Sequence, residues 1–366
     1  KTVSALSLLG LAQNATVTGR AEFAGKDLLS MPEQELRGLR GSAISMIFQE
    51  PMTALNPLYT VGQQVAEVLE LKRGLTRNES TQSAIQLIAD TGITEASRCA
   101  ASYPHQLSGG QRQRAVIAMA LACQPQLLLA DEPTTALDAM LRGQILDLLS
   151  QLQSRLGMAV LMITHDLNLV RRFADRVIVM EAGYIVEQGA VAAVFANPQH
   201  AYTRHLIDSL PQRDVRAADP NPAPVLRAQA LAVAYPIKRP GLRRWFKSDQ
   251  FQALRALDFQ LLRGQTLGVI GESGSGKSTL ALAALGLVPA SGSMRVGEQR
   301  WGQDSTRDKA LRRVVQVVFQ DPFSSLSPRM TVQEIVGEGL RVHEAHLSEA
   351  ARRERVVAAL EEVGVG

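Results

Sequence analysis

The sequence predicts an α/β protein: two tandem copies of one wound-sheet domain, each with an inserted helical subdomain and each incomplete. Three observations predict it. The segment ISMIFQEPMTALNPLYTV at 44–61 returns as VQVVFQDPFSSLSPRMTV at 315–332, a constant offset of 271 residues. A period this long marks duplicated domains, because solenoid repeats run to roughly 20–50 residues. Short apolar runs of β-type composition alternate with stretches of helical spacing, the pattern of a parallel sheet wound with helices. Finally, a glycine-rich turn ending in Lys277 and Ser278 lies between a strand-like run and a helix-like one, as at the strand–turn–helix junctions of such a sheet.

In chain order, 44–49 reads as a strand ending at Gln49, and 60–102 is mostly helix-forming and polar, a helical subdomain. Helical spacing follows at 111–122 and 141–156, with strand-like runs at 127–130, 159–164 and 177–180. The segment PQRDVRAADPNPAP at 211–224 holds four prolines and almost no large apolar residue, so it reads as a semi-extended linker. This divides the chain into a first domain, 1–210, the linker, and the N-terminal part of a second domain, 225–366. In the second copy, 266–270 and 315–320 are the strand candidates, the latter ending at Gln320, and 278–287 is the helix after the glycine-rich turn.

The 366 residues suffice for about two domains at roughly 100–200 residues each. A chain 46% hydrophobic and 20% charged is too apolar to be disordered. The net charge of +4, from 39 basic and 35 acidic residues, is too small to argue for nucleic acid. Cys99 and Cys123 stand alone, outside any CxxC or Cys/His cluster, which favours a reducing compartment and gives no zinc site. Apolar runs such as 158–163 stop well short of the ~18–20 residues of a membrane span, and no signal-peptide pattern opens the chain.

Gly271-Glu272-Ser273-Gly274-Ser275-Gly276-Lys277-Ser278 fits G-x-x-x-x-G-K-[ST]. The glycines let consecutive N–H groups turn around phosphate oxygens, and the start of the following helix adds partial positive charge. Lys277 would reach the β- and γ-phosphates and Ser278 would offer its hydroxyl to Mg²⁺. The opening KTVSALSLL parallels KSTLALAAL at 277–285, Thr279 included. Lys1 and Thr2 therefore read as the end of a first such loop, whose strand and glycines have no counterpart in the chain.

LSGGQRQR at 107–114 names the family. With it the chain resembles the ATP-binding-cassette (ABC) ATPases, members of the P-loop NTPase fold, whose signature is LSGGQ. Ser108, Gly109, Gly110 and Gln111 form a second anion cradle at a helix start. The apolar run ending in Asp131 and Glu132 resembles the Walker B element, which implies Asp131 as a Mg²⁺ ligand through water and Glu132 as general base. TTALD at 134–138 matches the D-loop, and His165 the switch histidine that contacts the γ-phosphate. Gln49 and Gln320 match the Q-loop glutamine that touches Mg²⁺ and the lytic water. Tyr235 is the candidate for stacking on adenine, with a partly buried core tyrosine as the other reading.

Finer resemblance, in FQEPMTALNP at 48–57, YPHQLS at 103–108 and NPQHAYTR at 197–204, is to the fused double-cassette ATPases of dipeptide and oligopeptide importers, including those for glutathione and microcin C. It implies ATP and Mg²⁺ as cofactors, two integral-membrane permease subunits and an extracytoplasmic peptide-binding protein as partners, and a peripheral place on the cytoplasmic face of the membrane. It implies no nucleic-acid partner. Some relatives bind iron–sulfur through cysteines after the 197–204 tail; this chain has none there, so no cluster is expected. The competing class is a soluble double-cassette ATPase of the translation or DNA-repair type, against which the Pro-rich linker and isolated cysteines speak. The basic run at 238–247 reads as a solvated loop, or as a contact with anionic lipid.

In the family, ATP is sandwiched between the P-loop of one cassette and the LSGGQ of the other. The second copy ends where it aligns near Thr94, before its own signature, Walker B pair and histidine. The chain as given is therefore expected to bind nucleotide weakly and not to turn it over. ATPase activity abolished by Glu132→Gln would overturn that expectation.

Overall fold

The computed structural model describes residues 1–49, 54–134, 137–209, 223–237, 249–272, 274–301, 305–320 and 325–365. Residues 211–222 of the 211–224 linker, the basic run at 238–247, Thr135 and Ala136 of the D-loop, and Ser273 lie outside the described residues, and Pro224, expected as the linker's last residue, already opens a strand. The chain divides into two units, Lys1–Asp214 and Val215–Gly366.

The first unit runs α1 (Thr2–Leu8), β1 (Glu22–Phe23), β2 (Lys26–Asp27), α2 (Glu33–Leu39), β3 (Ile44–Ile47), α3 (Val61–Arg73), α4 (Arg77–Asp90), α5 (Ala96–Ala101), α6 (Gly109–Leu121), β4 (Leu127–Asp131), α7 (Ala139–Leu156), β5 (Ala159–Ile163), α8 (Leu167–Phe173), β6 (Arg176–Glu181), β7 (Tyr184–Ala190), α9 (Val191–Ala196) and α10 (Ala201–Asp208). Strands β3, β4 and β5 form a parallel sheet with β4 in the middle, in the register Ile44↔Leu127 and Asp131↔Ile163. The near-continuous apolar run of β4 follows from burial on both faces. Leu128 packs on one side with Ile47, Ile117 and Ile145. Leu129 packs on the other with Ile44, Ala5, Leu9 and Leu36. Strands β6 and β7 make a separate antiparallel hairpin, turning at Ala182 and Gly183, both in the left-handed region at φ 47° and 89°.

The helical subdomain begins with a capping box, in which Thr60 accepts from the Gln63 amide and Gln63 accepts from the Thr60 amide. Helix α3 ends at Gly74, left-handed at φ 65°. It lies so close to α5 that a Cβ on Gly62 would sit 2.8 Å from the Ala100 carbonyl oxygen.

The second unit comprises β8 (Pro224–Ile237), β9 (Asp249–Leu262), α11 (Lys277–Ala284), β10 (Ser291–Val296), β11 (Gln299–Arg300), α12 (Ser305–Val314), α13 (Val332–His343) and α14 (Glu349–Glu362). Its sheet is antiparallel, in the order β11-β10-β8-β9, over a core of Ala228, Leu231, Val233, Leu254, Ala283 and Met294. The indole Nε1 of Trp301 donates to the Ala284 carbonyl at 3.0 Å and ties β11 to α11. Thr331 and Glu334 repeat the capping box of Thr60 and Gln63 at the 271-residue offset.

Two strand expectations fail here. Neither 266–270 nor 315–320 is in a strand, although the equivalent 44–47 is. A strand needs a neighbour for its backbone groups. Ile44–Ile47 has Leu127–Asp131 beside it, and no described strand of the second unit plays that part. Ile270 and Val318 are accordingly 95% and 98% exposed, whereas Ile44 and Ile47 are fully buried.

Candidate active site

Parallel strands end on one edge, and that edge gathers side chains far apart in sequence. At the end of β4, Asp131 is 2% exposed, and its Oδ1 has no hydrogen-bond partner. Glu132 follows with φ 46°, an uncommon conformation for this residue type. Its amide donates to the Ile163 carbonyl of β5 at 2.9 Å. The Glu132 side chain then meets both neighbours: His165 Nδ1 lies 2.8 Å from Oε1, and Gln49 Nε2 donates to Oε2 at 3.2 Å. An ionised carboxylate only accepts, so the histidine contact calls for a proton on Nδ1. Glu132 is largely enclosed while the His165 ring is mostly exposed. Lys1 Nζ reaches the Thr164 carbonyl at 3.4 Å, next to His165, and Thr2 opens α1.

Residue 166 fixes the histidine from behind. Asp166 Oδ1 accepts from the amides of Asn168 and Leu169, capping α8, and Oδ2 accepts from Arg142 Nη1 of α7 at 3.1 Å. These roles were not assigned from sequence. An Asp immediately before an apolar helical run is an N-cap signal that marks Asp166; nothing local marks Arg142.

The LSGGQ segment folds as a second capping box, with Ser108 Oγ accepting from the Gln111 amide at 3.2 Å and Gln111 Oε1 accepting from the Ser108 amide at 3.0 Å. Ser108, Gly109 and Gln111 are exposed and Gly110 is buried. A Cβ on Gly110 would come within 3.1 Å of Leu141 in α7, so a glycine lets the two helices approach. Gln113, within the quoted motif but given no role from sequence, is 1% exposed and donates to the Pro133 carbonyl at 2.5 Å.

In the second unit, Gly271-Glu272 and Gly274-Ser275-Gly276 lead into α11, which starts at Lys277, with Ser278 exposed and Thr279 half-buried in its first turn. Gly276 is left-handed at φ 96°, and a Cβ there would lie 2.6 Å from the Ala253 carbonyl oxygen. Lys277 Nζ folds across the loop to the carbonyls of Gly271 and Glu272, each at 2.7 Å, where a phosphate would compete for it. Tyr235 is half-exposed on β8, paired across the sheet with Phe251 close to Ala253. Gln320 is exposed.

No group of three or more His, Cys, Asp or Glu among the described residues could hold a metal ion. A Mg²⁺ that keeps waters and binds one carboxylate beside substrate phosphates needs no such group, and the unpartnered, buried Oδ1 of Asp131 fits it. No helix among the described residues is long and apolar enough to cross a membrane.

Known proteins resemble this chain in sequence. The chain is 49% identical over 363 residues to the peptidoglycan transport ATP-binding protein YejF of Agrobacterium fabrum, covering 99% of this chain and 66% of that protein. It is 46% identical to the uncharacterized ABC transporter ATP-binding protein YejF of Escherichia coli K12, over 100% of this chain and 69% of that one. It is 39% identical to the glutathione import ATP-binding protein GsiA of Escherichia coli O157:H7, over 94% and 60%. The chain thus spans roughly two thirds or less of the length of most of these relatives. The model of the ABC transporter family matches residues 1–135 and 254–366, two stretches that contain Asp131 with Glu132 and the glycine-rich segment 271–278, and by that match the chain belongs to the ABC transporter family.

Proposed function

We propose that this chain is an ATP-binding and ATP-hydrolysing subunit that energises an importer of peptides or peptide-containing solutes. The observation that carries the reading is the meeting of Gln49, Glu132 and His165 on one sheet edge beside the buried Asp131. In it Glu132 takes the proton of the attacking water, and Gln49 and His165 hold its carboxylate in line. His165 and the lysine of a phosphate loop face the γ-phosphate. Asp131, with Gln49 and the hydroxyl of Thr2 in one site, and Ser278 with Gln320 in the other, would hold Mg²⁺. When bound, that ion neutralises phosphate charge. Gly271, Glu272, Ser273, Gly274, Ser275, Gly276, Lys277, Ser278 and Thr279 cradle the phosphates of one ATP, with Tyr235 against its adenine. Ser108, Gly109, Gly110 and Gln111 offer donors to the γ-phosphate of an ATP held by an opposite cassette.

The relatives named for peptidoglycan transport and glutathione import support the solute class. Two permease subunits and a binding protein are the partners this reading requires, and they place the chain on the cytoplasmic side of a membrane. The groove of the helical subdomain lined by Asn56, Tyr59, Gln63, Leu71 and Ile85, with Leu58, Tyr59 and Leu71 exposed, suits an apolar segment of a permease. The test is ATP hydrolysis by a double-cassette protein that carries this sequence together with a second signature and a second Walker B pair, reconstituted with its permease subunits. Glu132→Gln should lower the rate by about 10²–10⁴-fold with ATP binding retained, the share a general base contributes. An unchanged rate would refute the reading.

A further inference from the structure

We propose that Gln113 is a positioning residue for Glu132: it ties helix α6, which carries Ser108 and Gln111, to the Glu132–Pro133 turn, so that a displacement of the helix reaches the carboxylate. The inference rests on the reading of Glu132 as the general base. Pro133 has no N–H, so its carbonyl is the one backbone hydrogen-bonding group that this residue offers. Gln113 Nε2 holds that carbonyl at 2.5 Å, and Gln113 is 1% exposed, out of reach of water that could replace it. Glu132 thereby sits between two anchors, its own amide on Ile163 and the next residue's carbonyl on Gln113. A left-handed φ of 46° persists when its surroundings over-determine it.

The helix transmits because its inner face has no slack. Gln113 follows Gly110 by three residues, on one buried face, and Gly110 already packs tightly against Leu141. The other face presents Ser108 and Gln111 to solvent. A force on the signature thus has a short rigid path to the Glu132–His165 pair.

The test is the imidazole ¹H–¹³C spectrum of the chain without nucleotide, with the His165 signal, one of six histidines, identified by its loss in His165→Gln. Gln113→Met should move that signal toward its position in Glu132→Gln, while Gln86→Met, at an exposed glutamine bonded to Asp90, should not. Ser108→Ala should displace the signal with Gln113 present and by at least about threefold less in the Gln113→Met background, as coupled sites require. A Gln113→Met signal superimposed on the unaltered one, or equal Ser108→Ala displacements in both backgrounds, would overturn the proposal. Should Gln113→Met not fold, hydrogen exchange in the unaltered chain decides: the Gln113 side-chain amide should exchange at least about 100-fold more slowly than that of Gln86, and equal rates overturn it. None of these readouts involves ATP turnover, so they fail or succeed separately from the hydrolytic reading.

Discussion

Replacing Gly276 by alanine should damage the second unit far more than replacing Gly274, although both glycines are left-handed, at φ 96° and 82°. An L-residue in that region costs about 1–2 kcal/mol, and this strain is common to both variants. A Cβ on Gly274 has nothing within 4 Å, so strain is the whole cost there. On Gly276 the Cβ would lie 2.6 Å from the Ala253 carbonyl oxygen and 3.0 Å from Leu254 Cδ2. The first neighbour is backbone in β9 and cannot rotate away. Overpacking of this kind adds about 1–3 kcal/mol, giving about 2–5 kcal/mol for Gly276→Ala against about 1–2 for Gly274→Ala. Urea unfolding followed by tryptophan fluorescence reads this unit selectively, because both tryptophans, Trp245 and Trp301, belong to it. Binding of a fluorescent ATP analogue should weaken at least about tenfold in Gly276→Ala, one decade per ~1.4 kcal/mol of misplacement. Equal unfolding midpoints for the two variants would show that the close approach to Ala253 does not constrain the loop.

Asp166→Ala removes the cap of α8 and the partner of Arg142; far-UV circular dichroism in urea should show a loss of about 1–2 kcal/mol, with Asp166→Asn keeping the cap and losing about half as much. The amides of Gln199 and His200 hold the Glu187 carboxyl below the ordinary glutamate range. Folding therefore favours its ionised form, and the stability it adds is present at neutral pH and lost as pH falls through that range. Thermal unfolding between about pH 7 and pH 3 should show the unaltered chain converging on Glu187→Gln as the acid limit is approached; a constant difference would contradict the assignment.

Much of the local structure was legible in the sequence because its causes are local. Capping boxes at Thr60, Ser108 and Thr331 depend on residues three apart and form as their motifs require. The helix after Gly276 begins at Lys277, one residue before the expected start, and β4 ends at the acidic pair as its apolar run implies. Less legible were groups whose partners are distant. Gln113 stands in plain view within LSGGQRQR, yet its burial and its bond to Pro133, 20 residues on, depend on how α6 packs on the sheet edge. Arg142 gives no sign that it will meet Asp166 across 24 residues.

The sequence by itself determined the family and the recurrence of one segment at a 271-residue offset, and it supplied the motifs proposed to carry the chemistry, since each resides in residue type and spacing. Only the tertiary structure decided which of those residues meet: Gln49 and Glu132 lie 83 residues apart and Glu132 and His165 33 apart, and they converge because β3, β4 and β5 run parallel and end together. It also decided that the strand-like runs at 266–270 and 315–320 are in no strand while Ile44–Ile47 is buried in a sheet. Strand propensity belongs to the segment, but a strand's hydrogen bonds belong to its neighbour.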